Sequence, residues 1–208
     1  MKEFRTIFWD FDGVIKDSVN VKTMAFVKLF QPYGVGIADR VREHHEAHGG
    51  MSRFDKLPLY LRWAGEDSRH TLISQFCDQF ADLVFNEVIN SPWVPGAEFY
   101  LRANSHKQTF ILVSATPQDE LEKILYNLNL INCFAEIIGA PTRKKDAIRM
   151  MQEKLKLDPQ ECLMIGDAKE DYKAAQANHV PFLLRRHSTN AEVFSDYNGI
   201  SVKDFTEL

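Results

Sequence analysis

An α/β protein built on a parallel sheet, with a helical cap inserted after the first strand, is what this sequence predicts. Three observations carry the prediction. Short apolar runs alternate with stretches of helical period along most of the chain. That rhythm breaks between about Ser18 and Asn90, where amphipathic helical patterns follow one another without a convincing strand. The first apolar run also ends on two acids and a glycine, Asp10-Phe11-Asp12-Gly13, at the strand end where open α/β sheets bind ligands.

The first strand is read at Thr6-Ile7-Phe8-Trp9, apolar enough to be buried on both faces. In the inserted stretch, Met24, Val27, Leu29 and Phe30 mark one helix. Leu72, Ile73, Phe76, Phe80, Leu83 and Val84 mark a longer one. The chain returns through Pro92-Trp93-Val94-Pro95-Gly96, stiff and then flexible, as a hinge requires. Further strands are read at Phe110–Val113, Glu136–Ile138, Cys162–Ile165 and Pro181–Leu184. Leu121, Ile124, Leu125 and Leu128 keep helical spacing between them, as do Ile148, Met151 and Leu155. Thr116-Pro117 reads as an N-cap followed by proline at the first helical position. The expected division is a Rossmann-like core of residues 1–16 and 92–208 with a cap of residues 17–91 over the mouth of the site, where a lid controls water.

Composition narrows the class. The chain has 208 residues, 45% hydrophobic and 26% charged, enough to bury a core without staples. A net charge of −4 with interspersed signs offers no basic field for nucleic acid or anionic membrane. No apolar run reaches the ~18 residues that span a bilayer. The three cysteines, Cys77, Cys133 and Cys162, are far apart and fit buried thiols in a reducing cytoplasm. No secretory leader is read ahead of the first strand, and the expectation is a cytoplasmic protein.

Four pieces at strand ends or helix starts converge on one site. Asp10 and Asp12, two apart in extended chain, point the same way. A carboxylate is ionised at neutral pH and needs no base to attack phosphorus. The second, with its pKa raised by the like charge, carries the proton that a departing oxygen needs. Asp10 is therefore assigned as nucleophile, with Asp12 as general acid and later general base. Ser114, ahead of a helix start, offers a hydroxyl for an anion cradle. The basic cluster Arg143-Lys144-Lys145 answers the charge of carboxylates gathered with a phosphate dianion. Asp167 and Asp171, in Gly166-Asp167-Ala168-Lys169-Glu170-Asp171, suit a hard cation on oxygen ligands, magnesium being the usual partner of phosphate.

The order of these pieces resembles the signature of the haloacid dehalogenase-like superfamily. Asp10-Phe11-Asp12-Gly13-Val14 is similar to its DxDGx motif. Val113-Ser114-Ala115 is similar to its strand-ending Ser/Thr motif, and Gly166 to Asp171 to its GDxxxD motif. The resemblance implies an aspartyl-phosphate intermediate. It implies Mg2+ bound by the Asp10 side chain, the Asp12 backbone carbonyl and Asp167, with Asp171 supporting that shell. Gly139-Ala140-Pro141-Thr142-Arg143-Lys144 resembles a G-x-P-x-x-K motif, which points to Lys144 as the phosphate ligand, with Lys145 beside it as the alternative. Gly49-Gly50-Met51-Ser52-Arg53 resembles the specificity loop of the beta-phosphoglucomutase-like branch, and so implies that Arg53 contacts a phosphate or acidic group of the substrate. Lys16 stands at a hinge position where those mutases carry threonine.

Other candidates have plainer readings. His44 and His48 share a helical face and His45 lies between them. No third zinc ligand or H-E-x-x-H glutamate accompanies them, so a solvated cap helix is expected. Trp9, Phe11, Trp63 and Trp93 are read as packing, with Phe11 turned into the core. The expected activity is a magnesium-dependent phosphatase of small phosphorylated metabolites, such as a sugar phosphate. The rivals are a phosphosugar mutase with the same intermediate and a non-catalytic phosphometabolite-binding protein. A dehalogenase or phosphonate hydrolase would leave Asp12 without work.

Overall fold

The computed structural model describes residues 1 and 3–207. Among them, six strands form one parallel sheet in the order β3-β2-β1-β4-β5-β6. The strands are β1 (Thr6–Trp9), β2 (Thr109–Pro117), β3 (Glu136–Ala140), β4 (Cys162–Gly166), β5 (Phe182–Arg185) and β6 (Ser201–Val202). Helices α1 (Val19–Phe30), α2 (Val35–Ala47), α3 (Arg53–Trp63) and α4 (His70–Asn90) follow β1. Helix α5 (Ala97–Asn104) precedes β2, α6 (Gln118–Asn127) follows it, and α7 (Lys144–Leu155) and α8 (Lys169–Ala177) flank β4. The sheet is the α/β, Rossmann-like one that the alternating runs predict.

Strand alternation explains why the runs are apolar throughout. Ile7, Trp9, Leu112, Leu163 and Ile165 face one side and pack with Tyr100, Leu121 and Ile124. Phe8, Ile111, Val113 and Met164 face the other and pack with Ile148, Met151 and Ala174. Both faces are thus covered by helices. The register sets the site: Trp9 pairs with Leu112 of β2 and with Ile165 of β4, which brings Asp10 level with Val113 and Gly166, just ahead of Ser114 and Asp167. The chain leaves β1 toward β2 on one side and reaches β4 on the other, which makes the β1/β4 tips a topological switch point.

The two passages between sheet and helical insertion run together. Asp17 N–H donates to Pro92 O at 2.8 Å and Val94 N–H to Ile15 O at 3.0 Å. Lys16, 2% exposed, donates its ammonium to Ile89 O at 3.0 Å and lies 4.3 Å above the Trp93 ring. A cationic, aromatic clasp therefore ties the outgoing chain to the returning one.

Two expectations need correction. Thr116-Pro117 does not open a helix: β2 runs through Pro117, and α6 begins at Gln118. A register shift against β3 between Val113 and Pro117 extends the strand past the apolar run. The helix that carries the histidines is exposed along Asp39, Arg40, Glu43 and Glu46 as expected, but the histidines themselves are not all solvated. His45 is 3% exposed, with Nδ1 2.8 Å from the Lys56 ammonium, and His44 accepts or donates at 3.0 Å with the Tyr60 hydroxyl. Their neighbours on α3, Lys56 and Tyr60, cover a face that the sequence of α2 alone presents as polar. Helix α5 and the two-residue β6 carry too weak a pattern to be read beforehand.

Lys56 carries a consequence for stability. It is fully buried, and among the described residues no carboxylate lies within ion-pair distance. Burial depresses its pKa from 10.5 to about 7. Below pH ~7 the ammonium is charged in both folded and unfolded chains, so folding bears the full desolvation cost. As pH rises from ~7 toward ~10.4 the folded protein releases this proton first, and stability climbs by at most about 1.4 kcal/mol per pH unit. Lys56→Met is expected to raise the melting temperature at pH 6 and to lose this climb between pH 7 and 9. Melting curves across that range check both.

Candidate active site

The β1 tip turns back on itself as soon as the strand ends. Asp10 N–H still donates to Ile165 O of β4 at 3.0 Å, while Ile15 N–H already donates to Phe11 O at 2.8 Å. Gly13 takes φ +76°, a left-handed conformation that favours glycine, and a Cβ there would lie 2.2 Å from Asp167 Oδ2. Phe11 is fully buried, turned into the core as the alternation requires. Asp10 and Asp12 line one cavity together with Lys22, Arg53, Thr116, Lys144 and Asp167.

Lys144, the first residue of α7, is the cation that reaches the acids; Lys145 is exposed. Its ammonium lies 2.8 Å from Asp10 Oδ1 and 2.5 Å from Asp171 Oδ1. Burial works against that charge, but Asp10 and Asp171 outweigh it and raise its pKa. Asp171 is fully buried and accepts the Ala168 N–H at 3.0 Å on its other oxygen, so it caps α8 while aiming Lys144. Gly166 makes room for it, since a Cβ there would lie 2.3 Å from Asp171 Cβ.

Asp10, Asp167 and Asp171 bring one carboxylate oxygen each within 4.8 Å of one another. Burial first, and then mutual repulsion, raises the pKa of all three, Asp10 to about 7. Crowded, buried oxygen donors of this kind fit a hard divalent cation, whose charge would relieve the repulsion.

Asp12 behaves otherwise than the paired-acid argument predicts. Burial pushes its carboxyl up, but the Lys22 ammonium and the Ser18 hydroxyl outweigh burial and hold it below its ordinary value. Ser18 Oγ donates to Asp12 Oδ1 at 2.6 Å, and Lys22 donates to Oδ2. Lys22 also reaches Thr116 Oγ1 at 2.8 Å. The like-charge argument places the raised pKa on the wrong member of the pair, because it takes no account of a lysine arriving from α1.

Ser114 is 1% exposed, and its Oγ accepts the Thr116 N–H at 3.1 Å. The neighbouring Ala115 and Thr116 line the cavity. Arg53, at the start of α3, lines it too, but its guanidinium holds Glu120 of α6 at 2.7 Å.

Three contributors have no sequence signal strong enough to find them. Lys22 and Thr116 flank Asp12, as described. His187, on the loop after β5, places Nε2 2.8 Å from Asp167 Oδ2. Asn190 Nδ2 donates to Asp167 O at 2.9 Å, so this loop fixes both ends of Asp167. Only the run of short polar residues at 187–190 hinted at a turn there.

Residues 7–184 match the family described as haloacid dehalogenase-like hydrolase. The chain belongs to that family. Solved structures with the same haloacid dehalogenase-like fold include beta-phosphoglucomutase from Clostridium difficile, at 20% identity over 99% of this chain and 93% of that one, TM-score 0.76. CbbY from Rhodobacter sphaeroides, in complex with phosphate, matches at 14% identity over 99% and 96%, TM-score 0.77. A phosphoglycolate phosphatase assigned in Lactobacillus delbrueckii matches at 15% identity over 96% and 94%, TM-score 0.73. None of the curated proteins matches the chain. No helix among the described residues is long and apolar enough to cross a membrane.

Proposed function

We propose that this family member is a magnesium-dependent phosphatase of small phosphorylated metabolites, such as a sugar phosphate. The observation that carries the reading is the buried trio Asp10, Asp167 and Asp171 gathered around Lys144 beside a cavity that Asp12 shares. Residues 1–16 and 92–208 form the catalytic core and residues 17–91 its cap.

The Asp10 side chain, the Asp12 backbone carbonyl and Asp167 would hold Mg2+, and Asp171 supports that shell. The ion, when bound, neutralises charge on the phosphoryl group and orients it. Asp10 Oδ1 is engaged by Phe11 N–H at 2.8 Å and by Lys144, which leaves Oδ2 as the attacking oxygen. Attack forms the Asp10–phosphorus bond as the ester oxygen–phosphorus bond breaks. The departing oxygen takes its proton from Asp12; because the Lys22 ammonium and the Ser18 hydroxyl hold that carboxyl ionised, this role requires substrate binding to draw Lys22 away from Asp12 so that it is protonated before the ester bond breaks. Water then attacks phosphorus and Asp12 accepts its proton, releasing inorganic phosphate and free Asp10. Ser114 and Lys144 serve the phosphoryl oxygens.

The test is a phosphate-release screen over phosphorylated metabolites with and without magnesium. Release from at least one small ester, abolished by chelation and by Asp12→Asn, is expected. A binder would tolerate Asp12→Asn, and a mutase would turn over only with a catalytic bisphosphate.

A further inference from the structure

Every cation lining the catalytic cavity is already committed to a carboxylate. Lys22 holds Asp12, Lys144 holds Asp10 and Asp171, and Arg53 holds Glu120. Like the pair of Lys22 and Asp12, the last one joins the cap to the core, and it alone of the three opens onto the surface groove of Asp78, Asp82 and Asp119. The side chains of Arg53 and Glu120 are 4% and 11% exposed, and the guanidinium also lies 4.5 Å over the Phe80 ring. Glu120 stands in the first turn of α6, where the positive end of the helix favours its charge.

We propose that Glu120 is a specificity-determining residue: it occupies Arg53 and closes the cap side of the cavity to a second anion, so the substrates are monophosphate esters with an uncharged remainder. The proposal rests on the phosphatase reading above for the word ester. A phosphate or carboxylate placed on Arg53 must either displace Glu120 from a buried pair or share the arginine with it at close range, and both are unfavourable. The surroundings point the same way. Beyond Arg53 the surface groove carries Asp78, Asp82, Asp119 and Glu120 against Lys123. On the opposite side, the groove running to Lys144 carries Arg62, Arg143, Lys145 and Lys173 against Asp55 and Glu170. The field thus draws one phosphate in beside Lys144 and repels a second at the Arg53 end. This reverses what the resemblance of the Gly49–Arg53 loop implies for Arg53.

The experiment pairs fructose 6-phosphate with fructose 1,6-bisphosphate on the full chain with magnesium, reading both calorimetric affinity and phosphate release. The wild type is expected to favour the monophosphate at least tenfold. E120Q, which keeps the shape and removes the charge, is expected to move that ratio at least tenfold toward the bisphosphate, and the shift is expected to vanish in R53A/E120Q. A wild type that binds the bisphosphate as tightly as the monophosphate, or that binds neither, overturns the proposal even if E120Q fails to fold. So does a folded E120Q with an unmoved ratio. Absence of phosphate release with the affinity ratio intact would instead overturn the phosphatase reading and leave the role of Glu120 standing.

Discussion

Asp10→Asn is expected to lower phosphate release by about 10⁴-fold or more, with the fold intact. An amide is not a nucleophile toward phosphorus, and no other carboxylate can take the place of Asp10. Asp171 has Oδ1 on Lys144 and Oδ2 on Ala168 N–H, and Asp167 Oδ2 is held by His187. Asparagine keeps the shape of the side chain, and its carbonyl oxygen can still accept from Phe11 N–H and Lys144. Melting temperature should therefore move little while turnover collapses. Covalent chemistry gives a second readout. Protein quenched with acid during turnover of a labelled ester should retain the label in the wild type and not in Asp10→Asn. Release that survives the substitution would remove Asp10 as the nucleophile and the aspartyl-phosphate step with it.

What the sequence made legible follows a physical rule. Thr6 to Trp9 could be read as a central strand because burial on both faces demands an unbroken apolar run, and the same holds for Phe110–Val113 and Cys162–Ile165. Asp10 and Asp167 could be placed together because parallel register carries adjacent strand tips to one edge. Lys144 was separable from Lys145 only in three dimensions: they are consecutive helix residues, and the sequence does not say which faces the sheet. Lys22, His187 and Glu120 reach the site from α1, from the loop after β5 and from α6. Their contacts with Asp12, Asp167 and Arg53 depend on how separate elements pack. The same holds for the sign of the pKa shift at Asp12. Proximity of two acids along the chain was visible, but the counter-charge that decides the sign comes from ten residues away.

Lys144→Met should be the most destabilising of the site substitutions. It removes the one ammonium that bridges Asp10 and Asp171 and leaves three buried carboxylates facing each other. Breaking a buried ion pair by deleting one partner costs about 3–5 kcal/mol. For a chain of this size that is a fall of roughly 6–20 °C in melting temperature. Methionine nearly matches the lysine stem, so lost packing accounts for little of the fall. Two comparisons isolate the electrostatic cause. Adding Asp171→Asn to Lys144→Met should recover a large part of the loss, because the substitution removes one of the stranded charges while the amide can keep the bond from Ala168 N–H. Magnesium at millimolar concentration should also raise the melting temperature of Lys144→Met by more than it raises that of the wild type, since the ion would answer charge that Lys144 no longer balances. Thermal melts of the three proteins, with magnesium and with chelator, read both effects. A Lys144→Met protein as stable as the wild type would mean that the carboxylates lie protonated or apart in solution, and the charge balance on which the site is built would fail with it.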